Sequence, residues 1–125
     1  MKILIVDDED EFLEYLEANL RQSFAECEVI RANDGREALR LCSQHTFTLI
    51  CTDIQMPDLN GLEFSRLVRQ DQGPNRAVPI IFISGFGDDF GSATEQLTNT
   101  FFVDKPLRIA NFLRIASLAS GAPLL

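Results

Sequence analysis

Five positions carry the chemistry available to this sequence: the adjacent acids Asp7 and Asp8, the acid Asp53, the hydroxyl of Ser84 and the ammonium of Lys105. Each stands at or just beyond the end of a short apolar run. Asp7-Asp8 follow Ile3-Leu4-Ile5-Val6, Asp53 follows Phe47 to Thr52, Ser84 closes Pro79-Ile80-Ile81-Phe82-Ile83, and Lys105 comes shortly after Phe101-Phe102-Val103. Adjacent carboxylates repel each other unless a cation intervenes, and a hard divalent ion with oxygen ligands is the natural one. Two acids, a third acid, a hydroxyl and an ammonium together suit phosphoryl transfer to a carboxylate. An Asp nucleophile forms an aspartyl phosphate, magnesium neutralises phosphoryl charge, and a Lys and a hydroxyl bind the remaining oxygens.

Blander readings exist for each residue alone. Glu9, Asp10 and Glu11 suit the N-terminal dipole of a following helix, an explanation that serves Asp7-Asp8 less well. Lys105 alone reads as a surface lysine ahead of a helix. Yet of eleven basic residues nine are Arg, and only Lys2 and Lys105 are Lys. A compact point charge is wanted at 105 where a guanidinium fork would not serve.

The elements that must position these residues alternate strand with helix, the pattern of a parallel sheet covered on both faces. Ile3 to Val6 reads as a strand buried on both sides. Residues 9–24 place Phe12, Leu13, Leu16, Leu20 and Phe24 at helical spacing. Residues 27–32 form a second strand, and Asp34 N-caps a helix through about Gln44. Phe47 to Thr52 is the third strand. Met56-Pro57-Asp58-Leu59-Asn60-Gly61 is a loop, and the next helix carries Leu62, Phe64, Leu67 and Val68 before a polar stretch, Gln70 to Ala77. Pro79 to Ser84 is the fourth strand, with Pro79 tolerated at its start. Phe101 to Val103 is the fifth. The last helix spans about Leu107 to Ala119, with Gly121 and Pro123 as stop signals. Between the fourth and fifth strands, Gly85, Gly87 and Gly91 surround Asp88-Asp89-Phe90, so any helix there starts late and ends near Leu97. Ends of strands one, three, four and five then share one sheet edge, where open α/β sheets build their sites.

At 125 residues one domain, 1–125, is expected, with no repeat or linker. A net charge of −8 argues against nucleic-acid binding and against docking to an anionic membrane. No apolar run approaches the roughly 18 residues of a membrane span, and the N-terminus has no signal peptide, so a cytoplasmic protein is expected. Cys27, Cys42 and Cys51 lack metal-site spacing and read as buried free thiols. His45 reads as a surface residue, and Asp58 and Asp104 as solvated loop acids.

Four stretches, Ile-Leu-Ile-Val-Asp-Asp-Glu (3–9), Thr-Asp-Ile-Gln-Met-Pro-Asp-Leu-Asn-Gly (52–61), Ile-Ser-Gly (83–85) and Val-Asp-Lys-Pro (103–106), resemble the receiver domain of two-component response regulators. The resemblance covers nearly the whole chain, and four pieces in the right order make it specific. It implies a five-stranded parallel (βα)5 sheet of flavodoxin-like, doubly wound order 2-1-3-4-5. It implies Asp53 as phosphoacceptor, and Mg2+ (or Mn2+) held by Asp7, Asp8, Asp53 and the Gln55 backbone carbonyl. Lys105, joined to Pro106 by a cis-prone bond, contacts the phosphoryl group. Ser84 is the switch hydroxyl and Phe102 the switch aromatic. Lacking the hydroxyl of Tyr, Phe102 is expected to switch by packing alone, with its inward rotamer more easily populated; the plain alternative is a core aromatic. Phe86, two beyond Ser84, is expected to restrict the hydrolytic water and lengthen the phosphorylated state. Residues 86–100 lack the family's Ala-Gly pattern, which leaves the fourth helix short and its partner face undefined.

The implied partners are a histidine kinase or histidine phosphotransfer protein, docked in part by the Glu-rich first helix, and an unidentified downstream protein. The implied state is a monomer or a phosphorylation-dependent dimer. Catalysis is limited to the domain's own phosphorylation and dephosphorylation, so no enzyme acting on external substrates is expected. With no output domain following, output is by protein contact or onward phosphotransfer, and the apolar end Pro123-Leu124-Leu125 is compatible with a domain excised from a longer protein. Three alternatives come from other classes. A degenerate receiver would bind constitutively, against which all five site residues are present. A phosphatase with an Asp nucleophile needs an acid two residues on, where Gln55 stands. A flavodoxin-like cofactor carrier needs a phosphate-cradling loop after the first strand, where Asp7-Asp8-Glu9 would repel the phosphate.

Overall fold

Apolar runs of four or five residues with β-branched side chains are too short for helices and too apolar for solvent, so they become central strands. The computed structural model describes residues 1–85 and 97–125. In it β1 (Lys2–Val6), β2 (Glu28–Ala32), β3 (Leu49–Asp53), β4 (Ile80–Ser84) and β5 (Thr100–Asp104) form one sheet. The order is β2-β1-β3-β4-β5, and every neighbouring pair is parallel. Four helices, α1 (Asp10–Ser23), α2 (Gly35–Gln44), α3 (Gly61–Gln70) and α4 (Ile109–Ser120), cover its faces among the described residues. Phe86, Gly87, Asp88, Asp89, Phe90 and Gly91, with the helix expected to end near Leu97, lie outside the described residues.

The period of two in the strands divides the core into two layers. Leu4, Val6, Ile50, Ile80 and Phe82 face one side, where Ala38 and Leu41 of α2 and Leu62, Phe64 and Val68 of α3 close over them. Ile3, Ile5, Leu49, Cys51, Ile81 and Ile83 face the other, under Leu13, Leu16 and Leu20 of α1 and Phe112 and Ala116 of α4. Each fully buried Leu, Ile or Phe stabilises the fold by about 1.5–3 kcal/mol, so the three central strands anchor the frame and hold their carboxyl ends in register.

Local chemistry sets where the helices begin. Asp34 accepts a hydrogen bond from the Glu37 amide at 2.8 Å, capping α2 where its sequence indicated. Asn60 and Glu63 form a reciprocal capping box on α3, each side chain accepting from the other's amide. Gly61 follows at once because α3 starts against the site: a Cβ there would lie 2.2 Å from the Asp53 carbonyl oxygen. Gly121 ends α4 at φ 78°, the left-handed conformation that glycine adopts without a Cβ penalty.

Some expectations shift. Leu67, counted among the apolar positions of α3, is 42% exposed, since the helix buries a narrower stripe through Leu62, Phe64, Ser65 and Val68. Cys42 and Cys51 are buried free thiols, but Cys27 is only half-buried at the edge before β2. Asp58 is exposed and pairs with Arg36.

Candidate functional site

At the junction where β1 lies between β2 and β3, the chain leaves neighbouring strands in opposite directions and opens a crevice beyond their carboxyl ends. The residues expected there are brought together. Carboxylate oxygens of Asp7, Asp8 and Asp53 all lie within 4.8 Å of one another. Asp7 is 1% exposed and Asp53 6% exposed, while Asp8 is exposed. Lys105 enters from the end of β5. Its Nζ lies 3.4 Å from Asp53 Oδ2, to which it donates, and 3.6 Å from Asp7 Oδ2. The Lys105–Pro106 peptide is cis.

Backbone donors fix the acids. Asp7 Oδ1 accepts from the Glu9 amide at 2.8 Å, which turns the chain from β1 into α1. Asp53 Oδ1 accepts from the Gln55 amide at 3.3 Å. Burial pushes the Asp7 carboxyl up to about 6, with Asp53 and Asp8 adding to the rise while the Glu9 amide and Lys105 oppose it. Burial also raises Asp53 despite the Lys105 ammonium beside it. Lys105 itself is raised, because Asp53 and Asp7 outweigh the opposite effect of its own burial.

Three crowded carboxylates against one ammonium leave a net negative cavity. Among the described residues Asp7 Oδ2 is buried without a hydrogen-bond partner. The one ammonium near it, Lys105 at 3.6 Å, is shared with Asp53, which leaves a carboxylate oxygen that a further cation would satisfy. An all-oxygen donor set around such an atom suits a hard divalent cation, so the residues present fit the group.

Ser84 stands at the end of β4, 7% exposed. Its hydroxyl donates to Asp104 Oδ1 at 3.4 Å. Phe102 is no core residue: it is 42% exposed, with its ring tilted against Phe82 at 5.2 Å between centroids. Phe86 lies outside the described residues.

Three contributors carried no signal in the sequence. Phe12 reads as one more apolar position of a helix, yet the Lys105 ammonium sits 4.9 Å from its ring centroid, a cation–π contact. Gly61 gives α3 its approach to Asp53. Asp104, expected to be a solvated loop acid, ends β5 and receives the Ser84 hydroxyl. Only a register between β4 and β5 reveals that last pairing.

Comparison with known proteins gives the family of the chain. The family model described as the response regulator receiver domain matches residues 3–117. Among curated relatives, the CAI-1 autoinducer sensor kinase/phosphatase CqsS of Vibrio cholerae is 34% identical over 109 residues, covering 84% of this chain and 15% of that protein. Response regulator ArlR of Staphylococcus saprophyticus is 34% identical over 122 residues, covering 90% of this chain and 52% of that one. The chain thus spans about half or less of the length of these relatives. Among solved structures, chemotaxis protein CheY4 of Vibrio cholerae superposes with a TM-score of 0.83 at 28% identity, covering 94% of this chain and 97% of that one. The chain belongs to the response regulator receiver domain family of two-component signalling.

Proposed function

We propose that this receiver takes a phosphoryl group onto Asp53 from a phosphohistidine of a histidine kinase or phosphotransfer protein, and that the adduct changes its protein-binding surface. The observation that carries this reading is the Asp53 carboxylate, 6% exposed, with the Lys105 ammonium 3.4 Å away and two further carboxylates close by. An Asp53 oxygen attacks phosphorus, a P–O bond forms as the donor's P–N bond breaks, and the imidazole leaves with its electron pair and takes a proton from solvent. Lys105 holds the attacking carboxylate and meets the phosphoryl oxygens with positive charge. The Gln55 amide on Asp53 Oδ1 and the Lys105 ammonium on Oδ2 together orient the attacking carboxylate.

Asp7, Asp8, Asp53 and the Gln55 carbonyl would hold a divalent cation, magnesium or manganese, whose charge offsets that of the incoming phosphoryl group. Ser84 donates to the phosphoryl group once it is in place, and Phe102 responds by packing. Its catalysis is confined to its own phosphorylation and dephosphorylation, a cytoplasmic role with no external substrate turned over.

Incubation with acetyl phosphate and magnesium, read by intact mass, tests this. A single phosphoryl adduct is expected on the wild-type protein and none on Asp53→Asn. Absence of an adduct on both points to a constitutive binding module, and steady turnover of a phosphate ester to a phosphatase.

A further inference from the structure

The ladder between β4 and β5 pairs Phe82 with Phe102 and, two residues on and facing the same side, Ser84 with Asp104. The Lys105 amide donates to the Ser84 carbonyl at 2.8 Å, which locks that register beside the site. Across the last rung Ser84 Oγ donates to Asp104 Oδ1 at 3.4 Å. Ser84 is buried and Asp104 exposed. The carboxylate therefore keeps its hydration while offering the hydroxyl a charged acceptor.

A serine hydroxyl has one proton to donate. It can serve Asp104 or a phosphoryl oxygen on Asp53, but not both. We infer that Asp104 is the resting-state acceptor of the Ser84 hydroxyl and positions it away from Asp53, setting how far the unphosphorylated protein is held from its switched conformation. The inference rests on the reading of Ser84 as the group that moves toward the phosphoryl. It adds a residue that acts against that movement, and the neighbouring Phe82–Phe102 rung ties the same ladder to the exposed aromatic. Any phosphoryl-bound state must break the Asp104 bond first, so Asp104 lowers apparent affinity for a phosphoryl mimic in proportion to the resting population.

Two measurements on the whole chain test this. In the first, the Ser84 χ1 rotamer is read from three-bond couplings by NMR in protein without cation or phosphoryl group. One rotamer should dominate in the wild type, and Asp104→Ala should spread the population, with Asp104→Asn between them because its amide oxygen still accepts. Unchanged couplings in Asp104→Ala overturn the inference without reference to phosphorylation. In the second, magnesium and beryllofluoride, a phosphoryl mimic on carboxylates, are titrated into wild type, Asp104→Ala, Ser84→Ala and the double variant. Asp104→Ala should bind roughly three- to tenfold more tightly, the net size of one ordinary hydrogen bond, since this one is long and its carboxylate hydrated, and this gain should vanish when Ser84 is Ala. A gain that persists in the Ser84→Ala background means that Asp104 acts through its charge alone, which also overturns the inference. Wild type that binds no beryllofluoride overturns the phosphoacceptor reading instead, and the rotamer measurement still decides whether the pair exists.

Discussion

Gly61 and Asp53 approach so closely that a Cβ on the glycine would sit 2.2 Å from the Asp53 carbonyl oxygen and 3.0 Å from the Ile54 Cα. Both are backbone atoms of the strand end that presents the acceptor carboxylate, and the Gly61 amide donates to the Ile54 carbonyl at 2.9 Å. Neither can yield without moving the site. Gly61→Ala should therefore lower stability by about 1–3 kcal/mol, the usual scale of overpacking, although alanine is the better helix former. Urea unfolding of the two proteins measures this. An alanine variant as stable as the wild type would show that α3 can withdraw from β3 at no cost.

Asp7 gives the protein a pH dependence opposite to that of ordinary salt-bridged acids. Its carboxyl rises from 3.8 to about 6 on burial. Between those values the folded protein holds a proton that the unfolded chain has released, so the contribution of Asp7 is fully present below the lower value and is lost as pH rises through the upper one. The loss is on the order of 2–3 kcal/mol, and Asp53, raised as well, acts in the same sense. A divalent cation binds only the deprotonated acids and should restore the loss. In EDTA, urea midpoints should fall between about pH 4 and pH 7, and Asp7→Asn should flatten that slope. Magnesium should raise the midpoint at the upper pH and scarcely at the lower. A wild-type midpoint in EDTA that climbs over this interval contradicts the assignment.

The legible parts of the chain were those where a local pattern has one physical solution. Ile3 to Val6 and Ile80 to Ile83 are apolar on both faces, which leaves them no place but the middle of a sheet. Asp34 caps its helix through the Glu37 amide three residues on, a contact the local sequence contains in full. Acids at strand ends indicated the cleft because sheet topology collects strand ends. What stayed hidden depends on register or on partners distant in sequence. Phe12 beneath Lys105 and Asp104 opposite Ser84 pair residues from separate elements. Leu67 shows that helical spacing does not define the width of the buried stripe.

Asn75 is the clearest case of a hidden partner, since it lies in a stretch that reads only as a polar connection. It is 4% exposed, accepts from the Phe47 amide at 2.8 Å, and donates to the carbonyls of Cys42 at 2.9 Å and His45 at 2.7 Å. One amide side chain thus satisfies the backbone at the end of α2 and the approach to β3. Asn75→Ala strands three backbone groups, each costing about 1–3 kcal/mol if left unpaired in the interior. A total loss of roughly 3 kcal/mol is expected, because water reaches part of the vacated space. Asn75→Asp keeps the acceptor for Phe47 but sets a buried carboxylate oxygen against the Cys42 and His45 carbonyls, so it should lose more than Asn75→Ala. An Asp variant as stable as the wild type by thermal or urea unfolding would show that the two donated bonds contribute nothing.

Lys105 has two duties that substitution can separate. Its ammonium partly neutralises Asp53 and Asp7 at rest, and in the proposed reaction it meets the phosphoryl oxygens. Lys105→Gln removes the charge and keeps a polar side chain of similar length. Without the ammonium, Asp7 and Asp53 should titrate at higher pH than in the wild type, since burial and mutual repulsion then act with less opposition. Carboxyl chemical shifts followed by NMR across the acid range read this directly. Adduct formation from acetyl phosphate should slow by about tenfold or more, the scale of one lost electrostatic contact in a transition state, while magnesium binding should tighten because a competing cation is gone. Lys105→Arg retains charge on a broader, planar head that does not fit between two carboxylate oxygens as a point charge does. It should restore the resting titration more fully than the rate. A rate in Lys105→Gln equal to wild type would leave Lys105 a resting-state counter-ion with no part in the transfer.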